Sequence, residues 1–60
     1  MNKQLPADRR TIRAVDIAGR EVVGVFRKTV LRNVVMNRVG RIWDWWEINE
    51  WKYEDGEDEQ

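Results

Sequence analysis

Neither cysteine nor histidine occurs among the 60 residues, so neither a disulfide nor the usual zinc ligand set is there to hold a fold together. A chain this short buries only about 60% of the surface its unfolded form exposes, which leaves little margin for a core of small side chains. The stretch "IWDWWEINEW", residues 42–51, answers that shortage with four tryptophans inside nine positions, in a chain whose only other aromatics are Phe26 and Tyr53. A buried aromatic removes roughly 150 to 250 Å² from water, so the cluster makes an efficient core. It also makes a candidate grip on a partner, because Trp is a preferred interface anchor.

The β-branched content rises sharply after Thr11. "TIRAVDI" reads as a first strand, and "AGRE" supplies the glycine that a tight hairpin needs for positive φ. "VVGVFR" is a second strand, with Gly24 marking a bend or bulge. After a polar break at Lys28-Thr29, "VLRNVVMN" is a third, "RVGR" another turn, and residues 42–53 a fourth strand. The expected fold is mostly β, a small antiparallel meander of four to five strands, either an SH3-like barrel or a curved sheet. The alternative is an α+β arrangement with one helix in residues 21–38, since Val22, Phe26, Val30 and Val34 recur every four positions. Seven valines and no alanine between residues 21 and 39 favour strand. The domain is expected to span residues 11–53, after a flexible N-terminal arm of residues 1–10 and before a disordered acidic tail of residues 54–60, "EDGEDEQ".

Zero net charge conceals a polarised chain. Residues 1–41 carry ten Lys and Arg against three acids, a balance of +7, and residues 42–60 carry eight acids against Lys52 alone, a balance of −7. No run approaches the ~20 apolar residues of a membrane span, and the first ten residues lack the apolar stretch of a signal peptide. The expectation is a cytoplasmic protein, in a host cytoplasm if phage-encoded, with no membrane partner.

Catalysis has little to draw on. His, Cys and Ser are all missing, and Thr11, Thr29, Tyr53 and the lysines have no base that the sequence identifies. Asp44 and Glu47 among tryptophans suggest a glycosidase couple, but the chain is too short to build a sugar cleft around them. The four glycines are isolated, so no phosphate-cradling loop is present, and the carboxylates of "YEDGEDE" lack the spacing of a calcium loop. No enzymatic activity, cofactor or metal is expected.

Two binding modes remain. In a continuous strand Trp43, Trp45, Trp51 and Tyr53 share one face, and Ile42, Trp46 and Ile48 the other, unless a bulge near Trp45-Trp46 returns both sets to one side. The first mode is protein binding through exposed members of Trp43, Trp45 and Trp51, with Asp44, Glu47 and Glu50 steering the strand toward a basic partner. A homodimer is one form of this, because so small a chain gains by doubling its core. The second is single-stranded nucleic acid held by Arg13, Arg20, Arg27, Lys28, Arg32, Arg38 and Arg41, with tryptophans as stacking platforms and the acidic tail as an autoinhibitory competitor.

"GREVVGVFRK" followed by "IWDWWEINEW" resembles the layout of very small bacteriophage and prophage proteins, in which a short β-hairpin precedes a Trp-containing strand. After Trp51 this chain has "KYEDGEDEQ" where the common pattern has a proline-rich ending. The resemblance implies a non-enzymatic protein that binds and modulates or inhibits a host protein, such as a nucleic-acid-handling or defence protein. It adds no site residues beyond the tryptophans.

Overall fold

In a computed structural model that describes residues 4–54, alternating apolar side chains shape the chain into five antiparallel strands of one open sheet. They are β1 (Thr11–Asp16), β2 (Glu21–Lys28), β3 (Asn33–Met36), β4 (Ile42–Asp44) and β5 (Ile48–Tyr53), with a 3-10 turn at Trp45–Glu47. The spatial order is β4-β3-β2-β1-β5, so the first four strands form a meander and the fifth returns to pair with β1. Helix is confined to the single 3-10 turn among the described residues, and residues 21–38 lie in β2, a turn and β3. A four-residue spacing could not separate the two forms, because Val22 and Phe26 share a face in a strand as well as in a helix.

Two hairpins use one local design. "DIAGR" and "NRVGR" each begin with an Asx residue and place glycine three positions later. Asp16 Oδ1 accepts the backbone N–H of Ala18 and of Arg20, each at 2.9 Å, and Asn37 Oδ1 accepts those of Val39 at 3.1 Å and Arg41 at 2.9 Å. The glycines, at φ +83° for Gly19 and +94° for Gly40, take the left-handed conformation that closes each loop. The β2–β3 turn is held differently, by the Thr29 hydroxyl, which accepts the Arg32 N–H at 3.0 Å and donates to the Arg32 carbonyl. That turn takes in Val30 and Leu31 and leaves β3 shorter than the valine-rich sequence suggests.

The expected fourth strand over residues 42–53 is corrected to two strands on opposite edges of the sheet, separated by the 3-10 turn. In a flat five-stranded sheet those edges would lie roughly 19 Å apart, at about 4.8 Å per strand. Three 3-10 residues advance only about 6 Å. The sheet must therefore roll until β4 and β5 approach, and the rolled interior encloses Ile12, Ala14, Val22, Phe26, Val35, Trp43 and Ile48. A β-bulge, with Val15 opposite Glu50 and Asp16 opposite Ile48, leaves Asn49 as the extra residue of β5. The bulge lets Ile48 and Trp51 both turn inward although three positions separate them.

The segment before β1 is laid against the sheet. Arg9 donates to the Phe26 carbonyl at 2.7 Å, the Phe26 N–H to the Arg10 carbonyl at 2.9 Å, and the Lys28 N–H to Asp8 Oδ1 at 2.8 Å. Trp51 Nε1 donates to the Gln4 carbonyl at 2.9 Å, and the Ala7 N–H to the Tyr53 hydroxyl at 3.0 Å. Of the expected acidic tail only Glu54 belongs to the described residues. Its N–H donates to the Thr11 carbonyl at 3.0 Å.

Gly24 marks a close approach of β2 to β3: a Cβ there would stand 2.5 Å from the Met36 carbonyl oxygen and 2.9 Å from its carbon. Those are backbone atoms of a paired strand and cannot swing aside. Gly24→Ala is expected to lower the free energy of unfolding by about 1–3 kcal/mol in urea titrations, and an unchanged midpoint would show that β2 does not pass β3 this closely.

Candidate functional site

The tryptophans divide by environment. Trp43 points into the core and is 8% exposed, with the Arg41 guanidinium 4.6 Å from its ring centroid. Trp45 meets Phe26 edge-on at 5.2 Å, and Trp51 meets Tyr53 edge-on at 5.0 Å. Trp46, at 70% exposed, is the tryptophan that faces water. A continuous alternation would pair Trp46 with Ile48 on one face, but the 3-10 turn resets the phase and sends Ile48 inward.

The acids named with the tryptophans are largely engaged within the chain. Asp44 Oδ1 lies 2.9 Å from Arg32 Nε, and Glu47 Oε2 accepts the Asp44 N–H at 3.2 Å, closing the start of the 3-10 turn. Glu50 is exposed on β5 and makes no ion pair among the described residues. The basic candidates are engaged too. Arg13 contacts Glu21 at 2.7 Å and Glu54 at 3.1 Å, Arg20 contacts Asp16 at 3.4 Å, and Arg27 contacts Asp8 at 3.7 Å. The hydrogen bonds to Glu21 and then Glu54 raise the Arg13 pKa above its ordinary value, so it stays a cation. Four of the seven basic candidates thus face a carboxylate, leaving Lys28, Arg38 and Arg41 for a ligand anion.

The surface that stands out is apolar, and it lies on the outer face of the sheet. Side chains facing away from the core include Val23 and Val25 of β2, Met36 of β3 and Ile42 of β4. Register places Thr11, Val25, Met36 and Ile42 opposite one another in a single row across β1, β2, β3 and β4. Beside this row Val39 projects from the β3–β4 turn at 86% exposed, and Ile42 is 49% exposed. Thr11, Val23, Val25, Met36, Val39 and Arg38 line an open groove of about 590 Å³, which has no acidic residue in its wall. Arg38 makes no ion pair among the described residues. The valines of "VVGVF" fall on both parities and make β2 apolar on its two faces, and the register with Met36 and Ile42 extends the outer one into a row.

Asp16 is the buried acid of the described residues, 3% exposed. Its carboxyl is held below the ordinary value chiefly by the Arg20 backbone N–H; burial opposes this, and the Ala18 N–H, the Arg20 charge and the Trp43 side chain support it. No group of three His, Cys, Asp or Glu among the described residues is placed to hold a metal ion, and no described helix is long and apolar enough to cross a membrane.

No protein-family model matches the chain, and no curated protein or solved structure is similar to it at a significant level.

Two outcomes follow from these placements. Trp43→Ala is expected to cost about 3–5 kcal/mol of stability in urea unfolding, whereas Trp46→Ala changes it by no more than about 0.5 kcal/mol; equal losses would contradict the division. A carboxyl whose pKa is lower folded than unfolded contributes stability that is present above the unfolded pKa and lost as pH falls through the folded one. Asp16 therefore stabilises the protein fully above about pH 4 and less at each step below it, given its ordinary value of 3.8. Asp16→Asn, which keeps the turn geometry that Asn37 supports in the other hairpin, is expected to flatten the acid limb of midpoint against pH; an unaltered slope would remove Asp16 from that linkage.

Proposed function

We propose that this chain is a non-enzymatic protein-binding module whose contact surface is the outer apolar row of β2, β3 and β4 together with the groove beside it. The row of Val25, Met36 and Ile42, widened by Val23 and Val39, carries the reading. Monomeric folds seldom leave contiguous apolar side chains in water unless a partner covers them. The expected charge preference changes with the surface. Asp44 and Glu47 are occupied by Arg32 and the 3-10 turn, whereas the groove is flanked by Arg38 and lacks acids. Its partner is a protein segment that combines large apolar side chains with carboxylates. In the phage setting that the layout resembles, such a module acts by occupying a host protein, including one whose acidic surface serves regulation or assembly.

Engagement of four basic candidates by carboxylates, and of Trp43, Trp45 and Trp51 by core and arm contacts, weighs against single-stranded nucleic acid as the ligand. Stacking needs exposed rings, and Trp46 is a single platform.

Panning a random peptide library on the domain, with immobilised single-stranded oligonucleotide in parallel, tests the reading. Peptides mixing acids with large apolar residues are expected to be enriched. Val39→Asp and Arg38→Glu, both at exposed turn positions, are expected to weaken retention by about tenfold or more without shifting the unfolding midpoint. Enrichment of basic peptides, retention indifferent to both substitutions, or tight salt-sensitive oligonucleotide binding instead would each overturn it.

A further inference from the structure

β5 is an edge strand of the sheet, six residues long against three for β4 on the opposite side. Its hydrogen-bonding direction follows from one contact. The Glu54 N–H donates to the Thr11 carbonyl, so these residues form a hydrogen-bonded pair in the β1–β5 ladder. Such pairs alternate along antiparallel strands. Lys52, opposite Arg13, therefore directs its backbone groups to β1, and Trp51 and Tyr53 direct theirs to the open side. An edge strand with its backbone groups turned outward in this way is a template for another strand.

The side chains say which strand. Glu50 and Lys52 are exposed on the outer face of β5, and neither makes an ion pair among the described residues. Lys52 lies opposite Arg13, a like charge already committed to Glu21 and Glu54, and Glu50 lies opposite Val15. Neither has a counterion among the described residues, and each is the counterion the other needs.

We infer that two copies of this chain pair antiparallel through β5 about a two-fold axis at Trp51, placing Glu50 of each copy opposite Lys52 of the other. Three two-fold registers bring the outward backbone groups of Trp51 against matching groups of a second copy. One centred on Glu50 sets Glu50 against its own copy, and one centred on Lys52 sets Lys52 against itself and Glu50 against Glu54. Both place like charges directly across the strand pair, which is unfavourable. The register centred on Trp51 alone gives two opposite-charge pairs, at non-hydrogen-bonded positions where side chains approach most closely. The two-fold axis puts the bulge at Asn49 of one copy or the other at each end of the pairing, so the interface is short and its two charge pairs decide its strength. An isologous contact of this kind closes at two subunits and does not propagate. It involves the edge opposite β4 and is independent of the groove.

Sedimentation equilibrium of the full chain over a wide concentration range tests the pairing in the wild type, in Glu50→Lys, in Lys52→Glu and in the double variant carrying both. A monomer–dimer equilibrium is expected. Each single reversal is expected to weaken it by about tenfold or more, by creating two like-charge pairs, and the double variant is expected to restore it. Tryptophan emission and unfolding midpoints establish that each variant is folded, which the exposure of both positions leads one to expect. A wild type that stays monomeric throughout, a dimer indifferent to the single reversals, or a double variant as weak as either single one would overturn the inference.

Discussion

The passage from β4 to β5 in three residues is the constraint on which the rest of the molecule depends. Those strands occupy opposite edges of the sheet, and a turn advancing about 6 Å joins them only if the sheet curls until the edges approach. Three contacts that hold that curl gather at the turn. Trp45 packs edge-on against Phe26, the side chain at the centre of the core, and Glu47 caps the first N–H through its carboxylate. The Glu47 carbonyl accepts the Ile17 N–H at 2.9 Å, tying the turn to the β1–β2 hairpin. Gly24 then allows β2 to pass close to β3, where a side chain would strike backbone.

Curling resolves the question posed by the tryptophans. A flat sheet of this size covers one face and leaves the other wet, and Trp on both faces would expose large rings. In the rolled sheet Trp43, Trp45 and Trp51 belong to one interior or its mouth, closed at one end by the segment around Gln4 and Ala7. The cost appears on the convex side. So few residues cannot fill an interior and also cover the outer apolar row, so Val25, Met36 and Ile42 remain at the surface, available to a partner. The polarity of charge along the chain has a related use: Arg13 of β1 meets Glu54 beyond β5, and Arg32 meets Asp44 of β4, fastening the acidic C-terminal part to the basic N-terminal one.

Much of this was legible in the sequence where one local rule decided the outcome. "DIAGR" and "NRVGR" announce their turns because an Asx side chain and a left-handed glycine need no tertiary help. β-branched residues specify the strands. Gly24, which its place in a valine run marks as a bend or bulge, instead lies in unbroken register opposite Ile12, and its missing side chain admits the Met36 backbone. The division of residues 42–53 was not legible. Alternation through Trp43, Asp44 and Trp45 reads as uninterrupted strand, and a one-turn 3-10 element has no periodic signal. A bulge near Trp45-Trp46 is one possible break, but its form sets the phase of every following residue, and only the folded chain shows Trp46 as the exposed tryptophan. Asp44 and Glu47 look unpartnered in the sequence because their partners, Arg32 and the Asp44 N–H, meet them only after folding. The outer groove has no sequence signature of its own: Val23 and Val25 look the same whether the second face of β2 is covered or open.

The most direct measurement is collisional quenching of tryptophan emission by acrylamide, in the wild type and in four variants that each replace one tryptophan by phenylalanine. If the ring of Trp46 is outside and the other three are held in the rolled sheet, the strongly quenched component disappears in Trp46→Phe alone and persists in Trp43→Phe, Trp45→Phe and Trp51→Phe. Loss of that component in Trp43→Phe or Trp51→Phe, with Trp46→Phe unchanged, would contradict the curl. It would return the Trp-rich strand, rather than the groove of β2, β3 and β4, as the surface presented to a partner.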